Sequence, residues 1–161
     1  MNESIFMKVE GPDITGGSQE ANHTGQIELD TCNIAIITPS VQHGGGLGGG
    51  KASIPPLPIS MKGEKHSVDL LKAVGQGTQF NKIIIENLKT TGQATLEKFY
   101  VVTMTTAKFE NLHISSSAGQ MYESCEIVAE QTELEFFGQD STGGLTSTGI
   151  VKYDSKRQEW S

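Results

Sequence analysis

Two extended runs constrain this chain most: LEKFYVVTMTTAKFENLHI (96–114) and MYESCEIVAEQTELEFF (121–137), joined by SSSAGQ (115–120). Both are rich in β-branched and aromatic residues, and both far exceed the usual strand of about five or six residues. The polar, glycine-bearing link has the chemistry of a hairpin turn. Long antiparallel strands with threonine and glutamate on the second face predict a small barrel or a sandwich. In FYVVTMTTAKF (99–109), strict alternation puts Phe99, Val101, Thr103, Thr105, Ala107 and Phe109 on one face, and Tyr100, Val102, Met104 and Thr106 on the other. Lys108 is the only charge in that window. A strand with one wet face normally carries charge along it, so part of the outer wall is expected to be an interface with another subunit.

The rest of the chain is largely extended as well. SIFMKVE (4–10), QIELDTCNIAIIT (26–38), NKIIIENLK (81–89) and GIVKYD (149–154) read as strands, GGSQEANHTG (16–25) as a loop and TTGQAT (90–95) as a turn. KASIPPLPISM (51–61) is extended but bears prolines, which removes ladder donors and suits an edge or a protruding hairpin. One helix is predicted, SVDLLKAVGQG at 67–77, with Ser67 as N-cap and Asp69 at the positive end of the dipole. Leu70, Leu71 and Val74 would form its apolar stripe, and Gly75 or Gly77 its stop. No repeat of period 20–50 is present, and the 161 residues fit a single domain spanning 1–161.

The glycine-rich stretch HGGGLGGGKASIPP (43–56) invites three chemical readings, and each lacks a part. A phosphate-binding P-loop would run from Gly45 to Gly50 and Lys51, but Ala52 stands where a hydroxyl is needed. Pro55, Pro56 and Pro58 also forbid the helix that must follow. Gly44, Gly46 and Gly49 match a dinucleotide fingerprint without its helix. His43–Gly46 matches the oxyanion loop of lipases, but the nearest nucleophile elbow, LTSTG, has Leu145 in place of its first glycine. What remains is a glycine-rich surface loop between two extended segments.

Charge and titratable residues narrow the function further. The net charge is −7 and the densest basic spot is SKRQ (155–158), so no nucleic-acid partner is expected. No apolar run reaches the ~18–20 residues of a membrane helix, so no membrane insertion is expected. MNESIFMKVE lacks a basic n-region and an apolar h-region, and no cleavable secretory signal is expected there. Cys32 and Cys125 lie far apart in apolar segments and are expected to be buried free thiols in a reducing compartment. His23, His43, His66 and His113 are scattered without metal-ligand spacing. Glu133 and Glu135 share a strand parity that a glycosidase could use, though a solvated strand face explains them as well. No nucleophile, base and orienting residue occur together, so neither an enzyme nor a bound cofactor or metal is expected.

The order of segments nevertheless carries a resemblance. FMKVEG is followed by Gly16, Ser18, Glu20, His23, Ile27 and Glu28, then by an insert ending in GGGKAS, the helix from Ser67, YESCEIVAEQTELEF and GIVKYDSKRQEW. Over residues 4–160 this set resembles the Hcp family, the tube proteins of type VI secretion systems. Gly17 and Glu20 depart from the usual Glu and Asp, and Val68 replaces a usual proline. The resemblance implies a mainly β fold: a two-sheet antiparallel β-barrel with one short α-helix (about 67–77) and a long extended loop (38–60). It implies a homo-hexamer whose rings stack into a tube, with a spike protein, a contractile sheath and secreted effector proteins as partners. It also implies bacterial cytoplasmic synthesis followed by export through that system. The extended loop would reach a neighbouring subunit or ring through Val41, Gly45, Leu47, Lys51, Pro55, Pro56 and Leu57, and Thr31 and Asn33 would face the lumen. Other readings of the residues are a monomeric small-ligand or glycan-binding barrel with the glycine loop as lid, a hydrolase using the HGGG loop, and a tail-tube-like protein of another contractile particle.

Overall fold

The computed structural model describes residues 3–43, 46–49, 51–91 and 95–161. In chain order its elements are β1 (Glu3–Glu10), β2 (Ile27–Leu29), β3 (Thr31–Cys32), β4 (Ser40–His43), β5 (Gly46–Gly49), β6 (Leu57–Lys62), α1 (Ser67–Gln76), β7 (Phe80–Lys89), β8 (Glu97–Ser117), β9 (Gln120–Gln139), β10 (Leu145–Asp154) and β11 (Glu159–Trp160). The two long runs become β8 and β9, paired antiparallel to the tip. Ala118 and Gly119 turn the chain there with φ of 50° and 78°, as a tight primed turn requires.

The strand pairings run in a circuit. β1 pairs with β7, β7 with β8, β8 with β9 and β9 with β6. The segment from β2 to β3 returns to the start, because β3 pairs with β6 while β2 pairs with β1. Between them, the Asp30 N–H donates to the Ser60 carbonyl at 2.7 Å. Every pair is antiparallel, and the strands of this circuit belong to one folded-over sheet where two sheets were expected. Met7, Ile27, Ile59, Met61, Ile83, Ile85, Val102, Met104 and Leu134 fill its interior. Each such side chain contributes about 1.5–3 kcal/mol on burial.

The long strands do not keep one parity. The buried face switches between Phe80 and Ile83 on β7, between Met104 and Ala107 on β8, and between Ile127 and Thr132 on β9. These switches lie at one level of the sheet, since Phe80 pairs with Ala107 and Ala107 with Ala129. Thr106, at φ 53°, sits at the corner. Strict alternation over 99–109 is therefore corrected: Val102, Met104, Ala107 and Phe109 share the core, while Thr103 and Thr105 face away from it. A second irregularity, a bulge between Glu110 and His113 with Asn111 at φ 55°, lets the hairpin bend again.

α1 bridges β6 and β7 and packs against β8 through buried Leu70 and Ala73. Its start differs from the sequence expectation. The Ser67 hydroxyl accepts the Glu64 N–H at 3.0 Å, upstream of the helix, and His66 occupies the cap position without a side-chain cap bond. Leu71 is 54% exposed, so the buried stripe is Leu70, Ala73 and half-buried Val74. Gly77 at φ 64° ends the helix, with its N–H on the Val74 carbonyl and the Thr78 N–H on the Ala73 carbonyl.

Two pieces stand outside the circuit. Among the described residues β4 and β5 pair only with each other, as a hairpin that leaves the barrel where Ile37 and Ser53 exchange two backbone hydrogen bonds of 2.8 and 2.9 Å. β10 attaches to the C-terminal half of β9, and its end is capped by β11.

Candidate lumen and assembly surfaces

β3, β6, the first half of β9 and the second half of β8 form one wall of the barrel. Cys32, Ile59 and Cys125 align across it toward the core. The intervening residues point the other way. Thr31 pairs with Ser60, Ser60 with Ser124 and Ser124 with His113, giving a row of three hydroxyl side chains and one imidazole across four strands. The Thr31 and Ser60 hydroxyls are 2.5 Å apart. The Asn33 N–H donates to the Pro58 carbonyl at 3.1 Å, and Pro58, Glu126 and Glu110 continue a second row. Thr31 and Asn33, expected together from parity, are thus both exposed on one continuous face. Ser60, Ser124 and His113 belong to it too. Sequence reasoning missed them because membership depends on pairing between distant strands.

The residues assigned to the extended loop divide. Val41 lies in β4 opposite Gly48, and Leu47 lies in β5 opposite Gln42. Gly45 falls outside the described residues. Lys51 and Pro56 are exposed and Pro55 is half-buried. Leu57 does not belong to this set: it opens β6, pairs with Ile127 and is 2% exposed, held by core packing. The loop's return is tied to the C-terminal strand, since the Trp160 indole N–H donates to the Ala52 carbonyl at 3.2 Å.

The histidines sort by burial. His23 closes the 16–25 loop over β1 and β7. Its ring stacks on Phe6 with centroids 4.5 Å apart, its Nδ1 meets the Glu20 carboxylate, and its Nε2 lies 2.6 Å from Glu86 Oε2. The His23 hydrogen bond holds the Glu20 carboxyl below its ordinary range. Lys98 sits 3.6 Å from the other Glu86 oxygen. His66 is buried against Glu123, Nε2 to Oε1 at 2.7 Å, which anchors the start of α1 to β9. Ser18, Glu20 and His23 of the sequence pattern therefore fasten a loop, with Ser18 Oγ accepting the Glu20 N–H at 3.3 Å.

No catalytic arrangement emerges among the described residues. Glu133 meets Lys152 at 3.5 Å, and Glu135 accepts the Ser147 hydroxyl at 2.8 Å, the pattern of a solvated strand face. Lys51 is followed by extended chain leading into β6, not by the helix a P-loop needs. Among the described residues no group of three or more His, Cys, Asp or Glu could hold a metal ion, and no helix is long and apolar enough to cross a membrane. Both cysteines are free. Burial pushes the Cys32 thiol up to about 11, and burial with Cys32 beside it holds the Tyr100 hydroxyl above its ordinary range.

An antiparallel sheet folded over its core, with one helix and one projecting hairpin, defines the architecture. The chain belongs to the Hcp family: the model described as type VI secretion system effector, Hcp, matches residues 6–136. No curated protein matches the chain. Among solved structures it is similar to a type six secretion system protein at 19% identity, with a TM-score of 0.89 over 99% of this chain and 100% of that one. It is also similar to Hcp1 from Salmonella typhimurium at 24% identity, with a TM-score of 0.78 over 100% of both chains. For the secreted protein Hcp3 from Pseudomonas aeruginosa the identity is 18% and the TM-score 0.67, over 91% of this chain and 97% of that one. At these identities the likeness establishes a shared fold.

Proposed function

We propose that this chain is a structural subunit of a type VI secretion inner tube, forming hexameric rings that stack, with the wall of Thr31, Asn33, Ser60 and Ser124 lining the lumen. The observation that carries this reading is that wall: four strands wide, with Thr31, Asn33 and Ser124 exposed and Ser60 half-buried among His113, Pro58, Glu126 and Glu110, and without a large apolar side chain in these two rows. Such a surface can hydrogen-bond a passing effector in many orientations without the apolar grip that would retain it. The apolar core that the strands share favours a structural role over a barrel that holds a ligand at its centre. Among the described residues the β4–β5 hairpin pairs with no other strand of its own subunit, which suits an arm reaching a neighbouring subunit or ring through Val41, Gly45, Leu47, Lys51, Pro55 and Pro56. The spike protein and contractile sheath would bound such a tube, and export of the subunit would follow its firing.

The test is to label Thr31→Cys with maleimide nanogold and image the particles in negative stain, in a Cys32→Ser, Cys125→Ala background. Annular particles with label in the central hole are expected. Label on the outer rim would overturn the lumen assignment, and an absence of rings would overturn the tube reading.

A further inference from the structure

Thr132 and Tyr153 stand opposite each other on β9 and β10, on the core side of the sheet and beside Met104 of β8. Thr132 is 7% exposed and Tyr153 4%. Neither hydroxyl meets a hydrogen-bond partner among the described residues. Unlike His66 Nδ1 and Glu123 Oε2, neither is walled in, because both residues line a cavity of about 220 Å³.

The cavity lies where the return of the extended loop crosses the corner of the sheet. Ile54, Pro55 and Leu57 wall it from the loop, and Met104, Ile127 and Ala129 from the sheet. β9 changes its buried face between Ile127 and Thr132, and both ends of that change line the space. Pro56 and Ser155, both exposed, mark the mouth. The Ser155 hydroxyl is already committed to the Ala129 and Glu130 carbonyls at 3.0 Å. Trp160 fixes the loop side in place, its ring 4.7 Å from that of Tyr153 and its indole N–H on the Ala52 carbonyl.

Size and lining define the occupant. No charged side chain lines the cavity, so an ion would lose its hydration there without gaining a partner. One water, with about 30 Å³ of liquid volume, could satisfy both hydroxyls, yet most of the space would still face apolar walls that offer water nothing. A cavity of about 150 Å³ already admits benzene. The space here takes one six-membered ring with a small polar substituent, the ring on Leu57, Met104 and Ile127 and the substituent at Thr132 and Tyr153.

We propose that this cavity is a binding site for a small uncharged molecule with one ring and one oxygen, held by the Thr132 and Tyr153 hydroxyls beneath the root of the extended loop. The site goes beyond the tube reading and does not depend on it.

Phenol is the probe, titrated into the intact protein while the methyl groups of Leu57, Met104 and Ile127 are followed by NMR. Saturable shifts at these methyls are expected. Thr132→Val and Tyr153→Phe each remove one hydroxyl at nearly constant volume, and either should weaken phenol binding about 2- to 10-fold. Toluene, which has the ring without the oxygen, should bind the variants as well as it binds the wild type. Three results would overturn the proposal: no saturable shift at these methyls up to the solubility of phenol, phenol binding unchanged in both variants, or phenol binding weakened no more than toluene binding. None of them bears on assembly, which the light-scattering mass reports separately.

Discussion

His66 and Glu123 meet where neither has access to water, and the contact leaves His66 Nδ1 and Glu123 Oε2 without partners. Such a pair adds little net stability over apolar replacements, yet removing one member strands the other. Glu123→Ala should therefore cost about 3–5 kcal/mol, read from urea midpoints at fixed protein concentration, whereas joint replacement of both residues by leucine should recover most of that loss. The thiols give a pH prediction. Burial first, then Glu123 and Glu126, pushes Cys125 up to about 12 from an ordinary 9.0. A thiol raised in the folded state contributes stability that is whole below the unfolded value and is lost as pH rises through the folded one. The urea midpoint should accordingly fall between pH 9 and 12, and Cys125→Ala should flatten that slope whatever it does to the absolute stability. At this scale the sequence was readable wherever local parity decides: Thr31 and Asn33 do share an exposed face, and both cysteines lie in apolar surroundings. The partners of His23 and His66 were not readable, because Glu86 and Glu123 come from strands far along the chain.

Among the elements, α1 shows how far local rules reach. Its span and its glycine stop follow from pattern, but its cap does not, since the Ser67 hydroxyl is drawn to the Glu64 N–H. A Cβ at Gly77 would meet nothing within 4 Å, so Gly77→Ala carries only the cost of φ 64°. That cost should be about 1–2 kcal/mol, measured by thermal or urea unfolding. The corner at Thr106 was invisible beforehand: three adjacent strands change parity together, and no alternation rule applied to one strand can show that. Leu57 was misplaced for a related reason. A proline-flanked leucine reads as part of an arm until its pairing with Ile127 puts it in the barrel. For the arm itself, replacing residues 40–49 by a short glycine-serine link should leave single rings intact and reduce their stacking into tubes, counted by tube length in negative stain.

The whole molecule is an antiparallel sheet folded over an apolar core, and among the described residues three of its surfaces are left unfinished: a polar wall, a hairpin that pairs only with itself, and a strand exposed on both faces. The ordered set of short motifs made the family legible, whereas the uncharged stretch of β8 is explained in large part by the chain's own core, which takes Val102, Met104, Ala107 and Phe109. Which surface is left open was not legible, because it depends on where β6 stops covering the sheet that β10 extends. The central claim is self-assembly of this one chain, and the mass of the purified, ligand-free protein by light scattering, with negative-stain images of the same peak, tests it most directly. A six-fold mass with annular particles is the predicted result. A homogeneous single-copy mass at high concentration, with no rings in the images, would contradict it.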